Sequence, residues 1–497
     1  MTNRIKNLAT PPPGGGVARI ETPLYGGTFT TDTSTPLPFV LPGELVDPAS
    51  LTILEPSPAR VAPRCLHFGA CGGCHYQHAD YPTQLDLKRT ILQNIFTEAA
   101  LPNLPEIQTE SADPWHYRNR IRLRIEPDAT GELRAGYSLR GTNDFLSITM
   151  CPIAAPLLWR AAEAILRLAA TDALAKRWLT ITSELELFCT PDESRLQLQF
   201  FLRTGEAGKR ESSSFPGLCD RINAAISVPQ PSSVSDSSSV SDKSVSDKSS
   251  VPHSSQPHRD EWDPTNPQPN QTPVLAGASA TLDPDLNRRA RRLWDGTTWS
   301  AAGLNYPAAG RHYWLPRGAF FQVNRFLLDR LAQLVTANQS GELAWDLFAG
   351  VGLFTRILAD TFTHVVAVEG AEAAITSLQS ATKAQKGIEP VHSATLDFLR
   401  ARELQRERPS LVVLDPPRAG LGAEASQILA RIAPPQIVYV SCDPTTLTRD
   451  LAILTTTYEI TSITLIDLFP QTFHLETLVH LDLREASKTP RSGRRPR

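Results

Sequence analysis

Cys442 lies in the string VSCDPTTLTRDL (440–451) and closes the apolar run IVYVSC (437–442). That run reads as a buried strand, so the thiol is expected at a strand's C-terminal end, where open α/β sheets receive their ligands. A thiol so placed suits a nucleophile. A free thiol has a pKa of ~8.5, so something must favour the thiolate, and the N-terminus of the following helix is one source. A lone cysteine is more often buried and inert; its neighbours reverse that preference here. LDPPRAGL (414–421) puts Asp415 at another strand end, with two prolines stopping the strand and stiffening the turn. DLFPQTFHLETL (467–478) offers Glu476 as a base just before the last strand, LVHLDL. His474 competes for that role, since alternation puts both on one side of an extended segment.

A second set suits a nucleotide. DLFAGVGLFT (346–355) follows a strand and opens a helix, and Gly350 and Gly352 let the backbone turn tightly beside a ligand. Glu369 ends the next strand, where a carboxylate suits a ribose diol. A dinucleotide fingerprint wants a third glycine where Thr355 stands, which favours S-adenosylmethionine over NAD.

A third set is Cys65-x5-Cys71-x2-Cys74, with Cys151 in MCPI as the best fourth member of seven cysteines. Four thiolates can hold an iron–sulfur cluster or a zinc ion, and the spacing leaves both open.

Elements that position these residues follow from periodicity. LAWDLF (343–348), HVVAVE (364–369), LVVLD (411–415), IVYVSC and ITSITLIDLF (460–469) are near-continuous apolar runs with helical stretches between them. They indicate a doubly wound, mostly parallel sheet. Residues 81–100 read as an amphipathic helix, 155–175 as helical, and LTITSELELF and LQLQFFL (within 178–203) as two strands. RNRIRLRIEP alternates Arg with apolar residues, giving one buried and one basic face. Short strands with turns fill 17–55. Residues 228–273, rich in Ser, Pro, Asp and Gln, read as a disordered insertion within a domain.

The chain has 497 residues and a formal net charge of −3, so composition argues mildly against a nucleic-acid partner. If RNA is bound, local clusters must supply the contacts: Arg118, Arg120, Arg122 and Arg124, then Arg288, Arg289, Arg291 and Arg292, then the basic tail. No apolar stretch is long enough to span a membrane. The first residues lack the apolar core of a signal peptide, which points to a cytoplasmic protein.

Taken together, RCLHFGACGGCHYQHADYPTQLDLK, YRNRIR, MCPI, FFQVN, DLFAGVGLFT, LDPPRAG, VYVSCDPTTLTRDL and DLFPQTFHLETLVHL resemble the iron–sulfur branch of the RNA (uracil-C5)-methyltransferase family, in family order from about residue 60 to 483. The resemblance implies a class I, Rossmann-like methyltransferase domain (319–485), a central iron–sulfur and RNA-binding domain (61–318) and a shortened TRAM/OB-type barrel (1–60), with a basic tail at 486–497. It implies a [4Fe–4S] cluster on Cys65, Cys71, Cys74 and Cys151. It implies S-adenosylmethionine contacts at Gln322, Phe348, Glu369 and Asp415, Phe320 near the target base, Cys442 as nucleophile and Glu476 as the base for the C5 proton. The implied substrate is 23S ribosomal RNA, with transfer RNA second, and a monomer is expected. One departure is Leu353, where the ribosomal-RNA members often have Asn. Two rivals remain: a nucleic-acid N-methyltransferase, which would not need Cys442, and an iron–sulfur RNA-binding protein with a vestigial methyltransferase domain.

Overall fold

The computed structural model describes residues 16–33, 35–227, 274–283 and 295–484. The insertion expected at 228–273, the arginines at 288, 289, 291 and 292, and the basic tail lie outside them.

The largest sheet has eight strands, in the order Ile388–His392, Phe362–Glu369, Gly341–Leu347, Leu411–Leu414, Gln436–Ser441, Glu476–Leu483, Tyr458–Ile466 and Ile107–Glu110. The first five are mutually parallel. Glu476–Leu483 runs antiparallel to both neighbours, and Ile107–Glu110 adds a parallel edge. Chain order reverses between Gly341–Leu347 and Leu411–Leu414, so a crevice opens where Phe348 and Asp415 leave the sheet. Both faces are buried, which is why the strands read as continuous apolar runs. Trp345, Leu347, Val366 and Tyr439 pack on one side with Ile91, Leu92 and Phe96 of helix Tyr81–Glu98. Ala344, Val365, Val413 and Val440 pack on the other with the hairpin Gly303–Ala308/Arg311–Pro316 and helix Leu328–Thr336.

This packing departs from the sequence boundaries. Helix Tyr81–Glu98 and strand Ile107–Glu110 were expected in a central domain beginning at 61, yet the strand extends the large sheet and the helix packs on its face. The hairpin before 319 also packs on that sheet. Motif order along the chain cannot reveal such a return. Strand Ile388–His392 went unrecognised because it is short, carries Pro390 and lies at the edge.

A second sheet of seven strands runs Thr297–Ser300, Val274–Leu282, Arg195–Leu202, Thr182–Cys189, Arg120–Pro127, Leu133–Ser138 and Phe145–Ser147. It continues across the 228–273 insertion, because Val274–Leu282 pairs with Arg195–Leu202. Helices Pro156–Thr171, Ala173–Ile181 and Phe215–Ile226 cover one face. The β-branched string at 179–182 suggested a strand, but Asp172 caps a helix there by accepting from Ala175 N (2.9 Å), and Trp178 is fully buried. On the other face the expected basic stripe is largely matched internally. Arg120 and Arg122 pair with Glu186 and Glu184, and Arg124 with Glu126. The guanidinium groups of Arg120 and Arg122 lie over Phe188 and Phe201 at 4.2 and 3.9 Å. A stripe so neutralised offers RNA less charge than its sequence suggested.

Strands Ala18–Leu24, Thr28–Thr31, Leu37–Pro38, Leu45–Asp47 and Thr52–Glu55 form an antiparallel sheet whose core (Ile20, Phe29, Val40, Leu41 and Val46) also takes in Tyr76 and Leu87. Among the described residues no helix is long and apolar enough to cross a membrane.

Candidate active site and cysteine-lined cavity

The glycine turn of DLFAGVGLFT is built as its residue types require. Phe348, Gly350 and Gly352 all have positive φ (67°, 57° and 89°). A Cβ on Gly352 would also stand 2.4 Å from Leu378 Cδ1, so at φ 89° a side chain there would be strained and would push Leu378 aside. Glu369 reaches back to the turn: Gly350 N donates to its Oε2 (2.8 Å) and Ala371 N to its Oε1 (2.6 Å). Asp346, which opens the string and which sequence reasoning did not single out, is fully buried and accepts a hydrogen bond from Thr355 Oγ1. Burial raises its pKa to about 6, against the Thr355 hydrogen bond, with Glu369 adding to the rise. Burial and Asp346 together push Asp415 up to about 7, opposed by a hydrogen bond from Gln322. Leu353 points its side chain into the core and offers its carbonyl to Tyr313 Oη (3.2 Å), so the departure at this position is a packing choice.

Cys442, Glu476 and Asp415 come together from three strand ends. Burial raises the Cys442 thiol to about 12, with Glu476 and Asp415 raising it further and Arg418 opposing. Glu476 is 2% exposed, and burial and then Asp415 hold its pKa well above the usual range, again with Arg418 opposing. The Cys442 thiol is therefore protonated at rest, and Glu476 is biased toward its protonated form. The helix N-terminus expected to favour the thiolate is already occupied: Asp443 accepts from Thr445 N (2.9 Å) and Thr446 N (3.2 Å). Arg418, from LDPPRAGL, is the cation at this cluster, and it donates to His474 Nδ1 at 3.4 Å. Burial and then Arg418 lower His474 to about 4, leaving it a weaker base than Glu476. Phe320 is 71% exposed, two residues before the buried Gln322.

The loop leading to Glu476 is clamped from several elements. Lys88 Nζ donates to Asp467 Oδ1 (2.6 Å) and Phe469 O (2.9 Å), and Tyr81 Oη donates to Asp467 Oδ2 (2.9 Å). Gln84 and Gln471 exchange two hydrogen bonds (3.0 and 3.1 Å), and Gln471 O accepts from the amides of His75 and Tyr76 (2.8 and 3.0 Å). Gln471 holds a left-handed φ of 68° without being glycine, a conformation that needs such support. The sequence carried one signal for this clamp: Lys88 interrupts the apolar face of an amphipathic helix.

Cys65, Cys71, Cys74 and Cys151 all line one cavity of about 410 Å³, together with Arg118, Arg122 and Tyr137. Arg140 donates to the Cys71 and Cys74 carbonyls. Burial, and then the neighbouring thiols, raise Cys74 to about 12. Among the described residues no three His, Cys, Asp or Glu side chains are grouped to hold a metal ion. A single zinc needs its sulfurs at ~2.3 Å, whereas a cluster of several irons fills a wider space between four thiolates.

Residues 304–484 match the model of the tRNA (uracil-5-)-methyltransferase family. The chain is 30% identical over 486 residues to an uncharacterized RNA methyltransferase of Rhizobium meliloti, covering 94% of this chain and 96% of that one. It is 30% identical over 451 residues to the 23S rRNA (uracil(1939)-C(5))-methyltransferase RlmD of Enterobacter sp., covering 86% and 84%. Its fold is similar to that of the Pyrococcus abyssi tRNA (uracil-54, C5)-methyltransferase solved with S-adenosyl-L-homocysteine. There the TM-score is 0.65 at 21% identity, over 94% of this chain and 100% of that one.

Proposed function

The chain belongs to the RNA (uracil-C5)-methyltransferase family, and from that premise we infer that Cys442 and Glu476 methylate C5 of a uridine in RNA. The observation that carries this reading is the charge-coupled cluster of Asp415, Cys442 and Glu476 at adjacent strand ends.

C5 of uracil is a weak nucleophile. Attack by the Cys442 sulfur on C6 forms a C–S bond and moves the ring's C5=C6 electrons toward C5 and O4. The thiol proton passes to solvent water as sulfur adds, which its raised pKa makes the demanding step. S-adenosyl-L-methionine, when bound, supplies an electrophilic methyl on a positively charged sulfur. Glu369 at the glycine turn suits its ribose, and Phe348, Gly350, Gly352, Gln322 and Asp415 complete the crevice. Once methylated, C5 carries one proton too many. Glu476, a strong base once ionised because its pKa is raised, removes that proton. The C–S bond then breaks, the C5=C6 bond returns and Cys442 is released. Reaching both faces of the base requires it to leave its stack, and Phe320 offers an exposed ring to hold it.

Cys65, Cys71, Cys74 and Cys151 suit a [4Fe–4S] cluster, and Arg118 and Arg140 would offset its charge. Methyl transfer moves no net electrons, so its role is to staple the segment 65–80 to the rest of the chain. The N-terminal sheet is read as a TRAM-type RNA-binding module. Large-subunit ribosomal RNA is the favoured substrate, transfer RNA the second, with a monomer acting in the cytoplasm. Incubation with labelled S-adenosylmethionine and unmodified ribosomal or transfer RNA, followed by digestion, tests the reading. Label in 5-methyluridine supports it. Label in an N-methylated nucleoside, retained in Cys442→Ala, overturns it.

A further inference from the structure

We propose that Tyr25, carried by the N-terminal sheet, is a substrate-contacting residue of the methylation site, its phenol donating a hydrogen bond to the target nucleotide. This assignment rests on the uridine reading and adds to it a group from a part of the chain assigned to RNA affinity alone.

Tyr25 stands at the tip of the hairpin joining Ala18–Leu24 to Thr28–Thr31. Its ring does not enter the core of its own sheet. It packs instead on the core of the large sheet, which includes Tyr439 and Leu475. It meets Phe473 edge-on, with ring centroids 5.5 Å apart, and Phe473 lies 4.3 Å from the ring of His474, two residues before Glu476. The tip is fixed there. Gly27 has φ +85°, and a Cβ on it would stand 2.9 Å from His75 Cδ2. His75 in turn meets Phe473 at 4.6 Å. The turn therefore sits against both the cysteine segment and the loop that delivers Glu476.

The chemistry at this position favours a neutral donor. The Tyr25 hydroxyl feels Asp443, Cys442 and Glu476 on one side and Arg418 on the other. Burial first, and then Asp443, raise the phenol's pKa, with Arg418 opposing. Among the described residues its hydroxyl has no hydrogen-bond partner in the protein. Around the Cys442 thiol stand the acidic groups Glu476, Asp415 and Asp443, opposed by Arg418. Addition of sulfur to C6 puts negative charge on a uracil carbonyl oxygen. A donor already in place stabilises that charge without reorganisation.

Tyr25→Phe keeps the ring packing and removes only the hydroxyl. Wild type and variant are compared for 5-methyluridine formation across RNA concentrations. The expected result is a fall in kcat of about tenfold or more, with KM for RNA within about twofold of wild type and the thermal midpoint unchanged. An unchanged kcat, or a change confined to KM, overturns the assignment. The wild-type arm separates the two possible failures. No 5-methyluridine from wild type refutes the uridine reading and this assignment with it. An active wild type matched by Tyr25→Phe refutes the assignment alone.

Discussion

The clamp on the Glu476 loop is open to a direct energetic test through Lys88→Met. Lys88 and Asp467 are both at zero side-chain exposure and meet at 2.6 Å. Methionine retains most of the stem volume but removes two hydrogen bonds, to Asp467 Oδ1 and to Phe469 O. Asp467 is then a buried carboxylate with the Tyr81 hydroxyl as its remaining side-chain donor. Breaking such a pair from one side costs about 3–5 kcal/mol, mostly for the stranded charge. Adding Asp467→Asn removes that charge, so the double variant should recover roughly half or more of the loss. The assay is urea unfolding of wild type, both single variants and the double, giving a coupling energy of about 2 kcal/mol or more. Because the loop positions Glu476, kcat should fall in Lys88→Met as well. A coupling energy within about 0.5 kcal/mol of zero, with kcat unchanged, refutes the reasoning.

Three further outcomes follow from the same structure. Asp346 has its pKa raised to about 6 from 3.8, so the stability it contributes is complete below about pH 4 and is lost as pH rises through about 6. Asp346→Asn should flatten that fall and exceed wild type at pH 7.5 by at most about 3 kcal/mol, as read by urea midpoints at several pH values; a lower midpoint at pH 7.5 contradicts this. Leu275 N donates to Asn223 Oδ1 at 2.9 Å, so the helix before the insertion and the strand after it are tied together near the insertion's two ends. Replacing 228–273 by a short Gly/Ser bridge should leave folding and methylation within about twofold of wild type, and loss of activity in a folded protein contradicts that reading. Cys71→Ser in anaerobically prepared protein should abolish the visible iron–sulfur absorbance and expose the segment around His75–Gln471 to proteolysis; retained absorbance contradicts the ligand assignment.

Much of the site was legible because its residues stand at strand ends within short strings. The strands carrying Cys442 and Asp415 read as apolar runs since both faces of the sheet are covered, and Gly350 and Gly352 stand where the turn takes positive φ, which glycine adopts most readily. Tertiary returns were not legible. Helix Tyr81–Glu98 and strand Ile107–Glu110 join the large sheet from hundreds of residues upstream, and no local period encodes that. The arginines at 120, 122 and 124 looked free for RNA because their partners, Glu186, Glu184 and the phenylalanine rings, come largely from neighbouring strands. Asp443, the N-cap of Pro444–Leu454, occupies the helix terminus that the sequence assigned to the Cys442 thiolate. Tyr25 carried no signal, since only the folded chain brings its turn beside Phe473.

The central claim is that Cys442 forms a covalent bond with the RNA and that Glu476 is needed to release it. Glu476→Gln, incubated with unmodified RNA and methyl-labelled S-adenosylmethionine, should yield a labelled protein–RNA adduct that survives denaturing electrophoresis. The same incubation with Cys442→Ala added to Glu476→Gln should yield none. A labelled adduct that forms without Cys442, or full turnover by Glu476→Gln with no adduct, would contradict the account.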